Sequence, residues 1–110
     1  KIRVLDLLYG LLLESGNDAA CALAVAACGN VEDFVSAMNE KARELGLVLT
    51  HFDNPHGLSS GEHRTTAREL AIITYHAMKV PLFREICSTI IIFIKNGLII
   101  NMAITVKCLS

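Results

Sequence analysis

The sequence predicts a mainly α-helical domain with a candidate β-hairpin at its C-terminal end. Its 110 residues are 53% hydrophobic but only 5% aromatic, so the core must consist of aliphatic side chains and alanine, which suits helix packing. A chain of this length fits one small domain. The chain has ten Lys plus Arg and eleven Asp plus Glu. Because it has no excess of basic residues to neutralise phosphates, nucleic-acid binding is disfavoured.

The first predicted helix covers residues 4–13, which are apolar almost all round. This pattern indicates a helix that is buried on most of its surface. Ser15 and Gly16 are expected to end it, because small polar residues and glycine favour turns. Either Asn17 or Asp18 can then cap a second helix, since both side chains accept hydrogen bonds from exposed helix amides.

The second and third predicted helices follow directly. The second has a body of small residues, which lets neighbouring backbones come close and indicates a core helix, and Gly29 supplies a left-handed stop. Asn30 is predicted to cap the third helix, with Glu32 and Asp33 in the first turn, where the helix dipole favours negative charge. Gly46 ends this helix.

An irregular segment and a fourth helix are predicted next. Residues 47–65 are dense in Asn, Pro, Gly, Ser and His, which is typical of a loop. Thr66 and Glu69 fit the capping-box pattern, in which hydroxyl and carboxylate both satisfy exposed amides at the start of a helix. That helix is expected to reach about Lys79, with Pro81 as the breaker.

The composition changes abruptly near residue 90. Two apolar runs rich in β-branched residues are joined by Asn96-Gly97, so residues 90–107 are predicted to form a hairpin. A membrane span is the alternative interpretation. Lys95, Asn96 and Asn101 interrupt the run well short of the roughly 20 apolar residues that a bilayer requires.

No metal or cofactor site is predicted. Cys21 and Cys28 lie two turns apart on one predicted helix, about 10 Å at the standard rise, which is too far for a disulfide. All four cysteines are interpreted as small buried hydrophobic residues; they are Cys21, Cys28, Cys87 and Cys108. No two histidines have a recognised ligand spacing; the four are His51, His56, His63 and His76.

The stretch LESGNDAA, residues 13–20, interrupts two apolar segments with chemically useful side chains. The Ser15 hydroxyl can both give and accept a proton, and the Asn17 carboxamide can accept from an amine while donating to a carbonyl. Gly16 between them is expected to let the backbone turn sharply. By itself the triplet is more typical of a cap and turn than of a catalytic site.

Four stretches in order change that interpretation: SGNDAA after LLYGLLL, MNEKARELGL at 38–47, THFDNPHGL at 50–58 and TTARELA at 65–71. Together they strongly resemble the serine D-alanyl-D-alanine carboxypeptidases, low-molecular-mass penicillin-binding proteins of the serine β-lactamase and transpeptidase superfamily. The resemblance implies the helical portion of that α/β fold over residues 1–89. Residues 90–110 are interpreted as a divergent apolar tail outside this resemblance.

The resemblance also implies roles for the turn. Enzymes of this kind combine a Ser-x-x-Lys pair, a Ser-x-Asn turn and a Lys-Thr-Gly or Lys-Ser-Gly strand. Ser15 matches the serine that passes a proton between the base and the leaving D-alanine nitrogen, and Asn17 matches the residue that binds the substrate amide and the catalytic lysine. Asp53, Asn54 and His56 suggest an acid–base cluster, but the resemblance makes their loop a structural element.

Departures from the family pattern set further expectations. No Ser-x-x-Lys occurs in the 110 residues, and Lys95-Asn96-Gly97 is better explained as a hairpin turn than as the third motif. We therefore expect the nucleophile and its lysine to lie upstream of Lys1 and the chain alone to be inactive. The first residues lack a signal-peptide pattern.

The resemblance implies a complete enzyme outside the cytoplasmic membrane, with peptidoglycan stem peptides ending in D-Ala-D-Ala and β-lactams as partners. Any membrane contact would come from parts outside this sequence. Two alternatives stay open: a serine β-lactamase relative, which would more often show Ser-Asp-Asn at the turn, and a non-catalytic helical binding or interaction module, which the missing nucleophile favours.

Overall fold

The structure is a computed structural model that describes residues 1–89, 91–94 and 98–101. Its described part consists of five helices followed by two short strands. The helices are α1 (Val4–Glu14), α2 (Asn17–Cys28), α3 (Val31–Glu44), α4 (Ala67–Ala77) and α5 (Pro81–Cys87), and the strands are β1 (Ile91–Ile94) and β2 (Leu98–Asn101). The mainly helical prediction is confirmed.

The first three helices pack in chain order, α1 against α2 and α2 against α3. The small side chains of alanine permit this close packing. Ala20 and Ala24 of α2 are fully or almost fully buried. Gly29 ends α2 with a φ of 89°, as predicted. Asn30 then caps α3 by accepting a hydrogen bond from the Asp33 amide at 2.7 Å, also as predicted.

The centre of the described core lies between α1 and α5. Leu13 and Ile86, which are 3% and 1% exposed, pack together with Leu8, Tyr9 and Leu12 at their edge. The expectation that α1 is buried on most of its surface is wrong for this chain, because Leu13 is its one fully buried residue and Val4 and Leu5 are exposed. The described part has too few helices to cover all the apolar faces of α1.

The end of α4 and the start of α5 differ from the prediction. Helix α4 ends at Ala77, and Pro81 begins α5 rather than only terminating a helix. Proline is well suited to the first helical position, because its fixed φ is helical and its missing N–H would have no partner there. The segment after Pro81 is therefore helical, and it delivers Ile86 to the core.

The two strands agree with the predicted hairpin. They are antiparallel, with Ile91 opposite Asn101 and Ile94 opposite Leu98. The predicted turn at Asn96-Gly97 lies outside the described residues, as does Cys108. The three other cysteines are half-buried rather than fully buried.

Among residues 1–89, no single helix is long and apolar enough to cross a membrane; α2 and α3 meet the length and composition criteria only together, and they are bent by 85°.

Candidate active-site turn

The turn between α1 and α2 has an unusual backbone at Ser15. Its φ of 56° and ψ of 40° lie in the left-handed helical region, and no other non-glycine residue in the described part of the chain has a positive φ. Such a conformation costs an L-residue with a Cβ roughly 1–2 kcal/mol. Strained positions of this kind persist where the surroundings fix them, and they are concentrated at functional sites.

Gly16 has a different part in the turn from the one predicted. Its backbone is extended, with a φ of −69° and a ψ of 106°, so the sharp change of direction occurs at Ser15. The Gly16 amide donates a hydrogen bond to the carbonyl oxygen of Gly10 at 3.1 Å. This bond ties the end of the turn back to the last turn of α1.

The prediction that Asn17 or Asp18 caps α2 is wrong. Gly16 occupies the capping position, Asn17 is already the first helical residue, and no side chain accepts a hydrogen bond at this end. The reason is local: Gly16 is extended, so the helix begins one residue earlier than a cap at Asn17 requires. The interpretation of the triplet as a simple side-chain cap therefore has no support in the geometry.

Neither predicted catalytic side chain forms a hydrogen bond with the described part of the chain. Ser15 is exposed and Asn17 is half-buried. Within residues 1–89, every side-chain hydrogen bond joins other residues, so the Ser15 hydroxyl and the Asn17 carboxamide remain available. The two residues flank Gly16 in the chain.

The loop 47–65 is held quite differently. Asn39 of α3 binds the Phe52 backbone twice, accepting from its amide and donating to its carbonyl, each at 2.8 Å. The two ends of the loop meet where His51 and Arg64 exchange backbone hydrogen bonds of 2.9 Å. The Asn39 bonds fix the loop to α3, and the His51–Arg64 bonds close it.

Glu69 anchors the start of the same loop from α4. The residue is 7% exposed, and its carboxylate accepts hydrogen bonds from the Thr50 hydroxyl at 2.5 Å and the Leu49 amide at 3.1 Å. The Thr50 hydrogen bond is the main reason why the pKa of Glu69 lies below its ordinary value; burial opposes this shift, and the Leu49 and Val48 amides support it.

The capping-box prediction is therefore half confirmed. Thr66 does accept a hydrogen bond from the Glu69 amide at 3.1 Å. The Glu69 carboxylate, however, bonds to Thr50 and Leu49 rather than to the helix start. The carboxylate thus accepts from two distant donors in the loop and not from the local amide that the motif would supply.

Inside the loop, the suspected acid–base residues Asp53 and Asn54 bond to other residues of the same loop. The Asp53 carboxylate accepts from the Glu62 amide at 2.8 Å and lies 3.2 Å from His51 Nε2. The Asp53 amide donates to His63 Nδ1 at 3.0 Å. The Asn54 carboxamide oxygen accepts from the Gly57 amide at 2.7 Å. These side chains shape the loop, as the resemblance implied.

Two open apolar grooves lie on the described surface, and neither contains Ser15 or Asn17. One, of about 190 Å³, lies between α3, the loop and α4; the other, of about 290 Å³, lies between α1, the end of α4 and α5. Among the described residues, no group of three or more His, Cys, Asp or Glu is arranged to hold a metal ion. Lys95-Asn96-Gly97 lies outside the described residues.

Solved structures define the class of this fold. A D-alanyl-D-alanine carboxypeptidase from Mycobacterium tuberculosis superposes with a TM-score of 0.82 at 38% identity, covering 91% of this chain and 39% of that one. Penicillin binding protein 5 from Haemophilus influenzae gives 0.83 at 34% identity, covering 94% of this chain and 31% of that one. The helices are thus the helical part of a penicillin-binding-protein fold, as predicted.

The sequence comparisons identify the family. The family profile described as D-alanyl-D-alanine carboxypeptidase matches residues 1–97, and the chain belongs to this family. It is 43% identical over 95 residues to D-alanyl-D-alanine carboxypeptidase from Streptomyces sp. strain K15, covering 81% of this chain. It is 42% identical over 79 residues to DacF of Bacillus subtilis, covering 72% of this chain.

The chain spans only 33% of the Streptomyces relative and 20% of the Bacillus one. The family assignment therefore fixes the class of protein to which these helices belong. The division into residues 1–89 and a divergent tail from 90 to 110 stays a prediction.

Proposed function

We propose that the chain is the helical part of a serine-type D-Ala-D-Ala carboxypeptidase that trims peptidoglycan stem peptides, with Ser15 and Asn17 in its active site. The turn geometry supports this most strongly: Ser15 is held in a left-handed conformation, and neither side chain makes a hydrogen bond within residues 1–89. A strained turn whose polar groups have no internal partners suits a site where those groups meet a substrate.

Ser15 acts as a proton relay. In the complete reaction, a serine oxygen outside these residues bonds to the carbonyl carbon of the penultimate D-alanine, and the carbon–nitrogen bond to the terminal D-alanine breaks. The leaving nitrogen needs a proton. The Ser15 hydroxyl donates its own and is reprotonated by the conjugate acid of the base. Water then hydrolyses the ester and restores the serine.

Asn17 holds the substrate. Its carboxamide oxygen accepts from an N–H or an ammonium group, while its nitrogen donates to a carbonyl. One side chain can therefore bind the substrate amide and orient the catalytic lysine. Its place in the first turn of α2, directly after Gly16, gives it a fixed backbone from which to do so.

The 110 residues alone are inactive in this account. They contain no Ser-x-x-Lys, so no activated nucleophile is present to form an acyl-enzyme. The complete enzyme works in the cell envelope, where peptidoglycan lies, and β-lactams acylate the same serine. The same missing motif favours one alternative, a non-catalytic helical interaction module derived from this family.

The proposal can be tested in a chimera in which residues 1–89 replace the matching segment of the Streptomyces relative. Ser15→Ala should lower the kcat for D-alanine release by roughly 10²–10⁴-fold, the usual loss for a general acid–base group, with KM little changed. Ser36→Ala is the matched control, because the Ser36 hydroxyl bonds only to the Glu32 carbonyl within α3. Wild-type kcat in Ser15→Ala would overturn the assignment.

A separate observation separates the alternatives. Sequencing the genomic region upstream of the codon for Lys1 should reveal a Ser-x-x-Lys in the same reading frame. An upstream frame without that motif would contradict the enzyme proposal and leave the non-catalytic module as the better interpretation.

A further inference from the structure

The last turn of α1 and the start of α2 come unusually close at Gly16. A Cβ placed on Gly16 would lie 3.2 Å from the Gly10 carbonyl oxygen and 3.4 Å from the Ala19 Cβ. The first distance is shorter than ordinary van der Waals contact between carbon and oxygen. The Gly16 amide also bonds to that same Gly10 oxygen at 3.1 Å, so the two backbones are held at this separation.

The need for glycine here is steric and not conformational. With a φ of −69° and a ψ of 106°, Gly16 has a backbone that any residue adopts. Gly29 at the other end of α2 is the opposite case. Its φ is 89°, which disfavours side chains, yet a Cβ there would have nothing within 4 Å.

The atom that a side chain on Gly16 would meet cannot easily move. The Gly10 carbonyl belongs to the helical backbone of α1, so the strain would be relieved by displacing the turn itself. Ser15 and Asn17 are the residues bonded to Gly16 on either side. Any displacement of Gly16 therefore shifts the Ser15 hydroxyl and the Asn17 carboxamide relative to each other and to α1.

We propose that Gly16 is a positioning residue for the carboxypeptidase reaction: its missing side chain lets α1 and α2 approach, and this approach sets the positions of Ser15 and Asn17. The inference rests on the proposed function of those two residues. Gly16 itself touches no reacting atom. Its contribution acts through the two side chains that it separates.

Turnover of the chimera defined above tests this directly. Gly16→Ala should lower kcat by about tenfold or more, since a misplacement of about 1 Å in a reacting group costs up to about 10²-fold. The loss should shrink in a Ser15→Ala background, because one of the two positioned groups is then already gone. A merely structural role would give the same factor in both backgrounds.

Gly29→Ala is the matched control. It should lower the melting temperature through backbone strain and leave kcat per folded molecule unchanged. The two proposals fail differently: wild-type kcat in Ser15→Ala overturns the proposed function, whereas a loss in Ser15→Ala with wild-type kcat in Gly16→Ala overturns only the positioning role.

A measurement on the 110-residue chain keeps the inference testable if the Gly16→Ala chimera does not fold. Hydrogen exchange by NMR should show faster exchange at the residue 16 amide in Gly16→Ala, because its bond to the Gly10 carbonyl is broken. The backbone chemical shifts of Ser15 and Asn17 should change as well. Unchanged exchange at this amide would overturn the proposal.

Discussion

The α1–α2 turn and the loop 47–65 are both rich in small polar residues, yet they use them in opposite ways. In the loop, the side chains of Asp53, Asn54 and His63 each bond to the backbone of the same loop. In the turn, the side chains of Ser15 and Asn17 make no hydrogen bond within residues 1–89, although the backbone of Ser15 is strained.

The loop and the turn satisfy their backbone groups by different means. An irregular segment must satisfy its backbone groups somewhere, and the loop does so with its own side chains and with Asn39 and Glu69. In the proposed function, the turn leaves its polar side chains unused because they bind a substrate.

The largest expected effect is a complete absence of acylation. The 110-residue chain should form no covalent adduct with a labelled penicillin. Ser15 has no lysine base beside it in this sequence, so its hydroxyl stays a poor nucleophile. Mass spectrometry after incubation with excess penicillin measures the adduct directly. Stoichiometric labelling at Ser15 would make it the nucleophile and would replace the relay assignment.

Acid should weaken the loop through Glu69. Because the pKa of its carboxyl is lowered in the folded chain, this group stabilises the fold above its ordinary pKa. That stabilisation is lost as the pH falls below about 5 towards the lowered value. The melting temperature of Glu69→Gln should therefore be lower at pH 7 and should vary less between pH 7 and pH 4 than that of the unaltered chain.

Glu44→Gln provides the comparison for Glu69→Gln. The Glu44 carboxylate pairs with Lys41 at the exposed surface of α3, where ion pairs contribute little. Its melting curve should follow the unaltered chain at every pH. Equal behaviour of the two variants would show that Glu69 is not an anchor of the loop.

The smallest expected effect concerns strain in the turn. Ser15→Gly removes the hydroxyl but relieves the left-handed conformation, so the free energy of unfolding should be unchanged or raised by up to about 1 kcal/mol. Gly57→Ala in the loop, where φ is 88°, should instead lower it by about 1 kcal/mol. Chemical denaturation of both variants measures the difference; a clear loss in Ser15→Gly would show that Ser15 stabilises the turn.

Most of the fold prediction came from local sequence patterns. Asn30 caps α3 and Gly29 ends α2 because both act within a few residues of their own position, where sequence spacing determines the contact. The antiparallel pairing of β1 with β2 agrees with the β-branched composition of both segments. The helix that begins at Pro81 was missed because proline both ends helices and starts them, and the sequence alone does not distinguish the two.

What the sequence could not supply depends on partners far along the chain. Glu69 leaves its local capping partner for Thr50 and Leu49, which lie 19 and 20 residues away. The site prediction named Ser15, Gly16 and Asn17, but it assigned the sharp turn to glycine. Only the packing of α1 on α2 shows that Ser15 makes the turn, while Gly16 supplies the close approach to Gly10.

The contrast between turn and loop is tested most directly by one substitution made in both places. Asn17→Ala and Asn39→Ala each remove a carboxamide from a half-buried helical residue, and both can be measured in the chimera for melting temperature, kcat and the rate of penicillin acylation.

Asn17→Ala should lower turnover and acylation by roughly 10²–10³-fold, as expected for a lost preorganised hydrogen-bonding group, with little change in melting temperature. Asn39→Ala should lower the free energy of unfolding by about 1–3 kcal/mol, because it leaves the Phe52 backbone unpaired, and should leave kcat per folded molecule intact. If instead both variants melt earlier by similar amounts and both keep wild-type kcat, the turn is as structural as the loop and the site assignment is contradicted.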